Sequence, residues 1–270
     1  MSGQPVAKTV LITGASAGIG AALARVYAAH GWDVILTARR QGPLDDLAAE
    51  LRVSNGVQAT VIPADLAQEG AAARLVEAIA ARGLTVDGLV NNAGFSRTAG
   101  FLNTDPAQQQ AMIRVMLSVP IDLARLLAPA MVERGFGRIL NVASLAGRMP
   151  ATGGDTLYGP IKSFLIKASA GLHLELRGTG VHVTALCPGY TLTEFHDANG
   201  TRSEVSAAYP AWMWQTADHV ARIGHDACEA NRPQVTPGVM NNLMAGLAKH
   251  LPDAMALNMV GGHAKRLKRI

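Results

Sequence analysis

Tyr158 and Lys162 stand at i and i+4, a spacing that puts both on one face of a helix, and Ser144 lies upstream at the end of an apolar run. A tyrosine with its ordinary pKa of about 10 is a poor acid or base near neutrality. A lysine ammonium at ~4 Å, in an effective dielectric of ~20, favours the phenolate by about 4 kcal/mol. This predicts that Tyr158 titrates near working pH. Carbonyl reduction needs one hydroxyl to hold the substrate oxygen and another to protonate it, and Ser144 and Tyr158 are the candidates. Taken alone, Tyr-x-x-x-Lys also describes an exposed helical face.

A second cluster lies near the start of the chain. Thr13-Gly14-Ala15-Ser16-Ala17-Gly18-Ile19-Gly20 follows an apolar run and opens a helical pattern. Glycines allow a tight turn and close backbone approach, and the amides and dipole at the helix start attract a pyrophosphate. Many strand-to-helix junctions also need glycine for packing alone. At the end of the next apolar run, where an acidic residue would receive a ribose 2′-hydroxyl, stand Arg39 and Arg40, which suit a 2′-phosphate. NADP(H) is therefore expected over NAD(H), although a solvated arginine pair would look the same.

These groups must be positioned by alternating elements. Strands are predicted over Thr9–Thr13, Asp33–Ala38, Val57–Ile62, Asp87–Asn91, Arg138–Ala143 and Val181–Cys187. The clearest helices are Gly18–His30, Pro43–Arg52, Gln68–Arg82, Pro106–Glu133 and Tyr158–Arg177. The alternation implies an α/β fold, a single Rossmann-type doubly wound parallel sheet with helices on both faces. After Pro188-Gly189 the pattern is irregular to about Gln215. A helix from about Thr216 to Glu229 and a strand near Gln234–Thr236 follow. The region from about 190 to 231 reads as a substrate loop. Trp212 and Trp214 in it suit either an apolar pocket or packing against the sheet, and His196 and His219 read as solvated or structural. Asn241–Ile270 reads as an amphipathic helix, a break at Pro252 and a basic tail, the tail spanning about 251–270.

Length and composition agree with one domain over residues 1–270. The chain is 49% hydrophobic and 16% charged, which excludes a disordered polymer. Its net charge of +4 equals the charge of Lys265, Arg266, Lys268 and Arg269. The body is thus near neutral, without the basic stripe and stacking aromatics of a nucleic-acid binder. The tail leaves room for weak peripheral contact with an anionic membrane. Cys187 and Cys228 show neither disulfide nor metal-ligand spacing, so no metal is expected and a reducing, cytoplasmic setting fits. No export signal or spanning segment is expected either.

Together these motifs resemble the classical short-chain dehydrogenase/reductase family from Thr9 to about Gly238. The matching pieces, in the family's order, are the Thr13–Gly20 turn, Asp65-Leu66, Asn91-Asn92-Ala93-Gly94, Ser144, Tyr158-Gly159-Pro160-Ile161-Lys162, and Pro188-Gly189 with Thr191 and Thr193. The resemblance implies an NADP(H)-dependent carbonyl reductase or alcohol dehydrogenase acting on a small carbonyl or alcohol. It assigns Ser144, Tyr158 and Lys162 to catalysis. Cofactor contacts are implied for Gly14, Ser16, Ala17, Gly18, Ile19, Gly20, Arg39, Arg40, Asp65, Leu66, Asn92, Ala93, Gly94, Tyr158, Lys162, Pro188, Gly189, Thr191 and Thr193. Asp65 would meet the adenine, Asn91 would stabilise the central sheet, Lys162 would hold the nicotinamide ribose, and Thr191 and Thr193 would sit near the carboxamide and pyrophosphate. The resemblance further implies a homodimer or homotetramer packed through two long helices.

The sequence departs from the family at one place. Where the family carries an asparagine for its proton relay, counting back from Pro129, this chain has Met116. A thioether is a weak acceptor and no donor. Met116 reads as a core residue and as a lost relay, and both hold together. This motivates an alternative, a cofactor-binding sensor or scaffold with little turnover. If Phe95, Phe101, Trp212 and Trp214 line the site, the substrate is apolar.

Overall fold

A computed structural model of the chain describes residues 7–96, 101–151, 155–193, 213–252, 254–255 and 257–258. Trp212, His196 and the Lys265–Arg269 cluster lie outside these residues. The strands are β1 (Thr9–Thr13), β2 (Asp33–Thr37), β3 (Ala59–Val61), β4 (Gly88–Asn91), β5 (Gly137–Val142), β6 (Val181–Leu186), β7 (Thr191–Leu192), β8 (Gln215–Thr216) and β9 (Gln234–Val235). The helices are α1 (Gly18–Ala29), α2 (Gln41–Asn55), α3 (Ala71–Ala80), α4 (Pro106–Ile113), α5 (Val119–Glu133), α6 (Tyr158–Glu175), α7 (Ala217–Glu229) and α8 (Val239–His250).

Seven strands form one parallel sheet in the order β3-β2-β1-β4-β5-β6-β9, as expected for a doubly wound fold. Alternation along β1 shows why it lies in the middle. Val10 and Ile12 join the core layer with Leu23, Tyr27 and Leu44, and Leu11 joins the opposite layer with Leu75, Leu123 and Ile139. All three are fully buried. Each such aliphatic side chain contributes roughly 1.5–3 kcal/mol of transfer free energy. The chain reverses its direction of strand addition between β1 and β4, so their carboxyl ends open a crevice, the usual ligand position in open α/β sheets.

Three expectations are corrected. The strand over Val57–Ile62 is paired only at Ala59–Val61, because Gly56 closes α2 with a left-handed φ of 70° and the chain must then turn into the sheet. The helix expected from Gln68 begins at Ala71, after Gly70 at a φ of 67°. The helix expected as one piece over Pro106–Glu133 is broken by a π-helical turn at Arg114–Ser118. The whole stretch is also apolar and long enough to cross a membrane, with a mean hydropathy of 1.6 over its most apolar window. Here the apolarity serves the core, with Met112, Val115, Met116, Val119, Leu123 and Met131 buried under the sheet. A two-stranded pairing of β7 with β8, not anticipated, ties the chain after Gly189 to the residues entering α7.

Candidate active site

The glycine turn is built by close backbone approach. The Thr37 carbonyl at the end of β2 accepts from the amides of Gly14 (2.8 Å) and Ala15 (3.2 Å). A Cβ on Gly20 would lie 2.2 Å from the Gly14 carbonyl oxygen, and one on Gly14 would lie 2.8 Å from the Ala93 Cα. Gly14 and Gly18 also sit at φ values of 67° and 58°, where side chains are strained. At the start of α1, Ala17 is extended and offers no side-chain cap, and the first turn carries no acidic residue. Its opening amides and dipole are therefore suited to an anion. Thr193 packs over Gly18, its Cβ 3.0 Å from where a Gly18 Cβ would be.

Thr13 joins this turn to the end of β4. Its hydroxyl donates to the Val90 carbonyl (3.2 Å) and accepts from the amides of Asn92 (2.9 Å) and Ala93 (3.0 Å). The Asn92 side chain donates in return to the carbonyls of Thr13 (3.0 Å) and Gly14 (3.1 Å). Gly94 is backed by Met116, whose Sδ would stand 2.8 Å from a Cβ there. Farther along the crevice Arg39 and Arg40 are exposed at the exit of β2. The Asp65 carboxylate accepts from Gln68 and from the Ala67 amide, and these contacts, with help from the Arg39 charge, hold it below the usual carboxylate range. Leu66 is buried in the core.

On the other side of the crevice, Ser144 lies two residues beyond β5 and caps a single 3₁₀ turn, Leu145–Arg148, its hydroxyl accepting from the Ala146 amide. That turn rests on the α6 backbone, since a Cβ on Gly147 would lie 2.5 Å from the Lys162 carbonyl carbon. Leu145 donates to the Pro188 carbonyl (2.8 Å), and Gly189 leaves room for the Asn241 amide of α8. Thr191 donates to the Gly189 carbonyl (3.1 Å). A buried polar chain fixes α6 against the sheet. Asn91 donates to Asn141 (2.8 Å) and to the Pro120 carbonyl (3.3 Å), Asn141 donates to Ser169 (2.8 Å), and Ser169 donates to the Leu165 carbonyl (2.6 Å). Asn141, Ser169 and Gly147 were not foreseen as site residues. The signal available was a polar residue at a sheet-buried position, Asn141, in register with Asn91.

Ser144, Tyr158 and Lys162 converge as expected, but their electrostatics differ from expectation. Lys162 Nζ donates to the Val142 carbonyl (2.8 Å) and sits 5.6 Å from the centre of the Tyr158 ring. It is 5% exposed, and burial pushes its ammonium down to about 8. Desolvation pushes the Tyr158 phenol up to about 12, opposed by the Ser144 hydroxyl that bonds it and reinforced by the charge of Asp155. The lowering of Tyr158 expected from Lys162 is therefore not found: burial of the phenol is the largest influence and acts in the opposite direction. Tyr158 is a protonated donor at neutral pH.

Met116 is 1% exposed and lies within the π-helical turn, packed in the core. Of the aromatic residues expected to line the site, Phe95 packs against that core, Phe101 is exposed and Trp214 lies against Tyr190 with ring centres 5.4 Å apart. Among the described residues no group of three or more metal-ligating side chains occurs.

The family model for short chain dehydrogenases matches residues 8–204. The chain is 37% identical over 183 residues to the ketoacyl reductase HetN of Nostoc sp., covering 68% of this chain and 63% of that protein. It is 34% identical over 225 residues to a serine 3-dehydrogenase of Rhizobium radiobacter, covering 80% of this chain and 86% of that one. A short-chain dehydrogenase from Sphingobium yanoikuyae in complex with NADPH superposes with a TM-score of 0.78 at 30% identity, covering 91% of this chain and 96% of that one.

Proposed function

Because the chain belongs to the short-chain dehydrogenase family of oxidoreductases, which bind a nicotinamide cofactor, we propose that it is an NADPH-dependent carbonyl reductase whose proton donor is Tyr158. The observation that carries the reading is the bond between Ser144 and a phenol held protonated, with Lys162 buried beside it. The bare cradle of Gly14, Gly18 and Gly20 at the uncapped start of α1 fits a pyrophosphate. Arg39 and Arg40 would take a 2′-phosphate, Asp65 the adenine end, and Lys162 the nicotinamide ribose. The NADPH in the Sphingobium structure supports the same cofactor here.

When bound, the dinucleotide supplies the hydride that reduces the carbonyl carbon. Ser144 and Tyr158 donate to the carbonyl oxygen and hold it. The Tyr158 proton passes to that oxygen, which leaves as the hydroxyl of the alcohol. Lys162 then offsets the charge left on the phenolate until a solvent proton restores it. A phenol pushed up to about 12 is in the protonated state that the reductive direction requires of its donor.

The test is NADPH oxidation over a panel of ketones and aldehydes, with cofactor binding followed separately. Tyr158→Phe should abolish turnover and retain binding. A wild-type protein that binds NADPH and reduces nothing would instead support the sensor reading, which rests on Met116 in the relay position. We further propose a homo-oligomer packed through α5 and α6, where Leu126, Phe164 and Leu174 are exposed. Light scattering should give more than one chain's mass, and Leu126→Glu with Phe164→Glu should lower it. Peripheral membrane contact would use the exposed stripe of Val239, Leu243 and Leu247 on α8 with the basic tail. Equal sedimentation with anionic vesicles by the full chain and one ending before Ala264 would dismiss the tail's role.

A further inference from the structure

We propose that Asp155 is a positioning residue for the proton donor, its buried bond to Ser96 fixing Tyr158 against the segment that leaves β4. The proposal rests on the oxidoreductase reading and adds a working part to the same site. Asp155 is 8% exposed and accepts from the hydroxyl of Ser96, itself 6% exposed. Asp155 stands one turn before Tyr158, and its backbone carbonyl accepts from the Tyr158 amide (3.3 Å). Ser96 follows Gly94 and Phe95. Phe95 beside Ser96 and Leu157 beside Tyr158 pack, with Tyr158 itself, against one core layer. On a third side α4 closes over the turn, where Gln108 and Met112 line a small cavity with Asp155 and Leu157.

This bond differs in direction from the others that hold α6. Lys162 to Val142 and Asn141 to Ser169 both fasten the helix to β5, the strand that leads to Ser144, and so set Tyr158 relative to Ser144. The bond from Ser96 to Asp155 leads instead to the exit of β4, which carries Asn92, Ala93 and Gly94, and so sets Tyr158 relative to the side expected to hold the cofactor. Proton and hydride must meet on one carbonyl, and a misplacement of about 1 Å in such a geometry costs roughly 10²-fold in rate. The bond needs an acceptor and not a charge, since an asparagine oxygen would also accept from Ser96. The charge of Asp155 raises the Tyr158 phenol, so an uncharged acceptor there would leave the donor no weaker as an acid. Ser144 and Lys162, which flank the same phenol, are unaltered by that exchange.

The experiment follows a single turnover of bound NADPH by stopped flow, with the panel ketone or aldehyde that the wild type reduces fastest, and measures NADPH affinity separately by fluorescence. Asp155 makes a further interaction besides Ser96, so Ser96→Ala is the variant that isolates the bond. Ser96→Ala and Asp155→Ala should each slow the chemical step at least fivefold while NADPH affinity stays within threefold of wild type. Asp155→Asn, which keeps an acceptor for Ser96, should run at least threefold faster than Asp155→Ala. A smaller loss in Ser96→Ala would overturn the proposal alone. A fall in NADPH affinity beyond threefold would do the same, as the mark of a generally loosened site, and so would a smaller recovery in Asp155→Asn. Should Asp155→Ala lose its cooperative thermal transition, Asp155→Asn is compared with Ser96→Ala instead, by the same threefold criterion. NADPH binding by the wild type without turnover of any ketone or aldehyde would overturn the oxidoreductase reading, and this proposal with it.

Discussion

Replacing Lys162 by methionine should stabilise the protein while abolishing its turnover. The lysine is buried with its ammonium at about 8 instead of 10.5. At 1.36 kcal/mol per pH unit, the folded state bears about 3 kcal/mol against the charged form. Methionine removes that penalty and leaves the Val142 carbonyl without its lysine donor, at a cost of roughly 1–3 kcal/mol. The net gain at pH 7 lies between about 0 and 2 kcal/mol, or about 0–8 °C in Tm for a chain near this size. The pH dependence is the sharper signature. Between pH 8 and 10.5 the unfolded lysine holds more proton than the folded one, so wild-type stability rises through that window relative to the variant. Below pH 8 the penalty is fully present, and above 10.5 it is gone. Urea unfolding of both proteins at pH 7, 8, 9 and 10, read as a difference, cancels contributions from Tyr158 and the cysteines. Parallel curves, or a variant less stable than wild type at pH 7, would refute the reasoning.

Two further outcomes are expected. Arg39→Ala with Arg40→Ala should lower the ratio of NADPH to NADH affinity at least tenfold, about 1.4 kcal/mol, measured by cofactor fluorescence; an unchanged ratio would remove both arginines from the 2′-phosphate site. Met116→Asn should raise turnover at least twofold by restoring a relay group, and should lower stability by roughly 1–3 kcal/mol because an amide enters a packed site beside Gly94. No gain on any substrate that the wild type reduces would show that proton return does not limit the rate.

The features legible in the sequence were those with a local rule behind them. Apolar runs between helical patterns marked the strands because each parallel strand is buried on both faces, as β1 is. The Thr13–Gly20 turn and the Tyr158–Lys162 spacing were visible because backbone geometry forces particular residues into particular places. The π-helical turn at Arg114–Ser118 was not, since its residues continue an apolar helical pattern without a break. The pairing of Thr191–Leu192 with Gln215–Thr216 joins segments too short and too far apart for any periodicity. Asp155 and Ser96 carried no motif, and only folding brings them together. The phenol of Tyr158 was misjudged because a charge four residues away is easily counted, whereas desolvation depends on every neighbour in three dimensions.

The hydroxyl of Thr13, bonded at once to Val90, Asn92 and Ala93, has a bearing on how the molecule is made. Those bonds complete the phosphate cradle from the first ninety-four positions of the chain, whereas Ser144, Tyr158 and Lys162 arrive with β5 and α6. A ribosome releases the N-terminal part first. The nascent chain thus carries the glycine turn suited to a pyrophosphate before it carries Ser144, Tyr158 and Lys162. Synthesis thus delivers the phosphate turn ahead of the residues that would carry out chemistry.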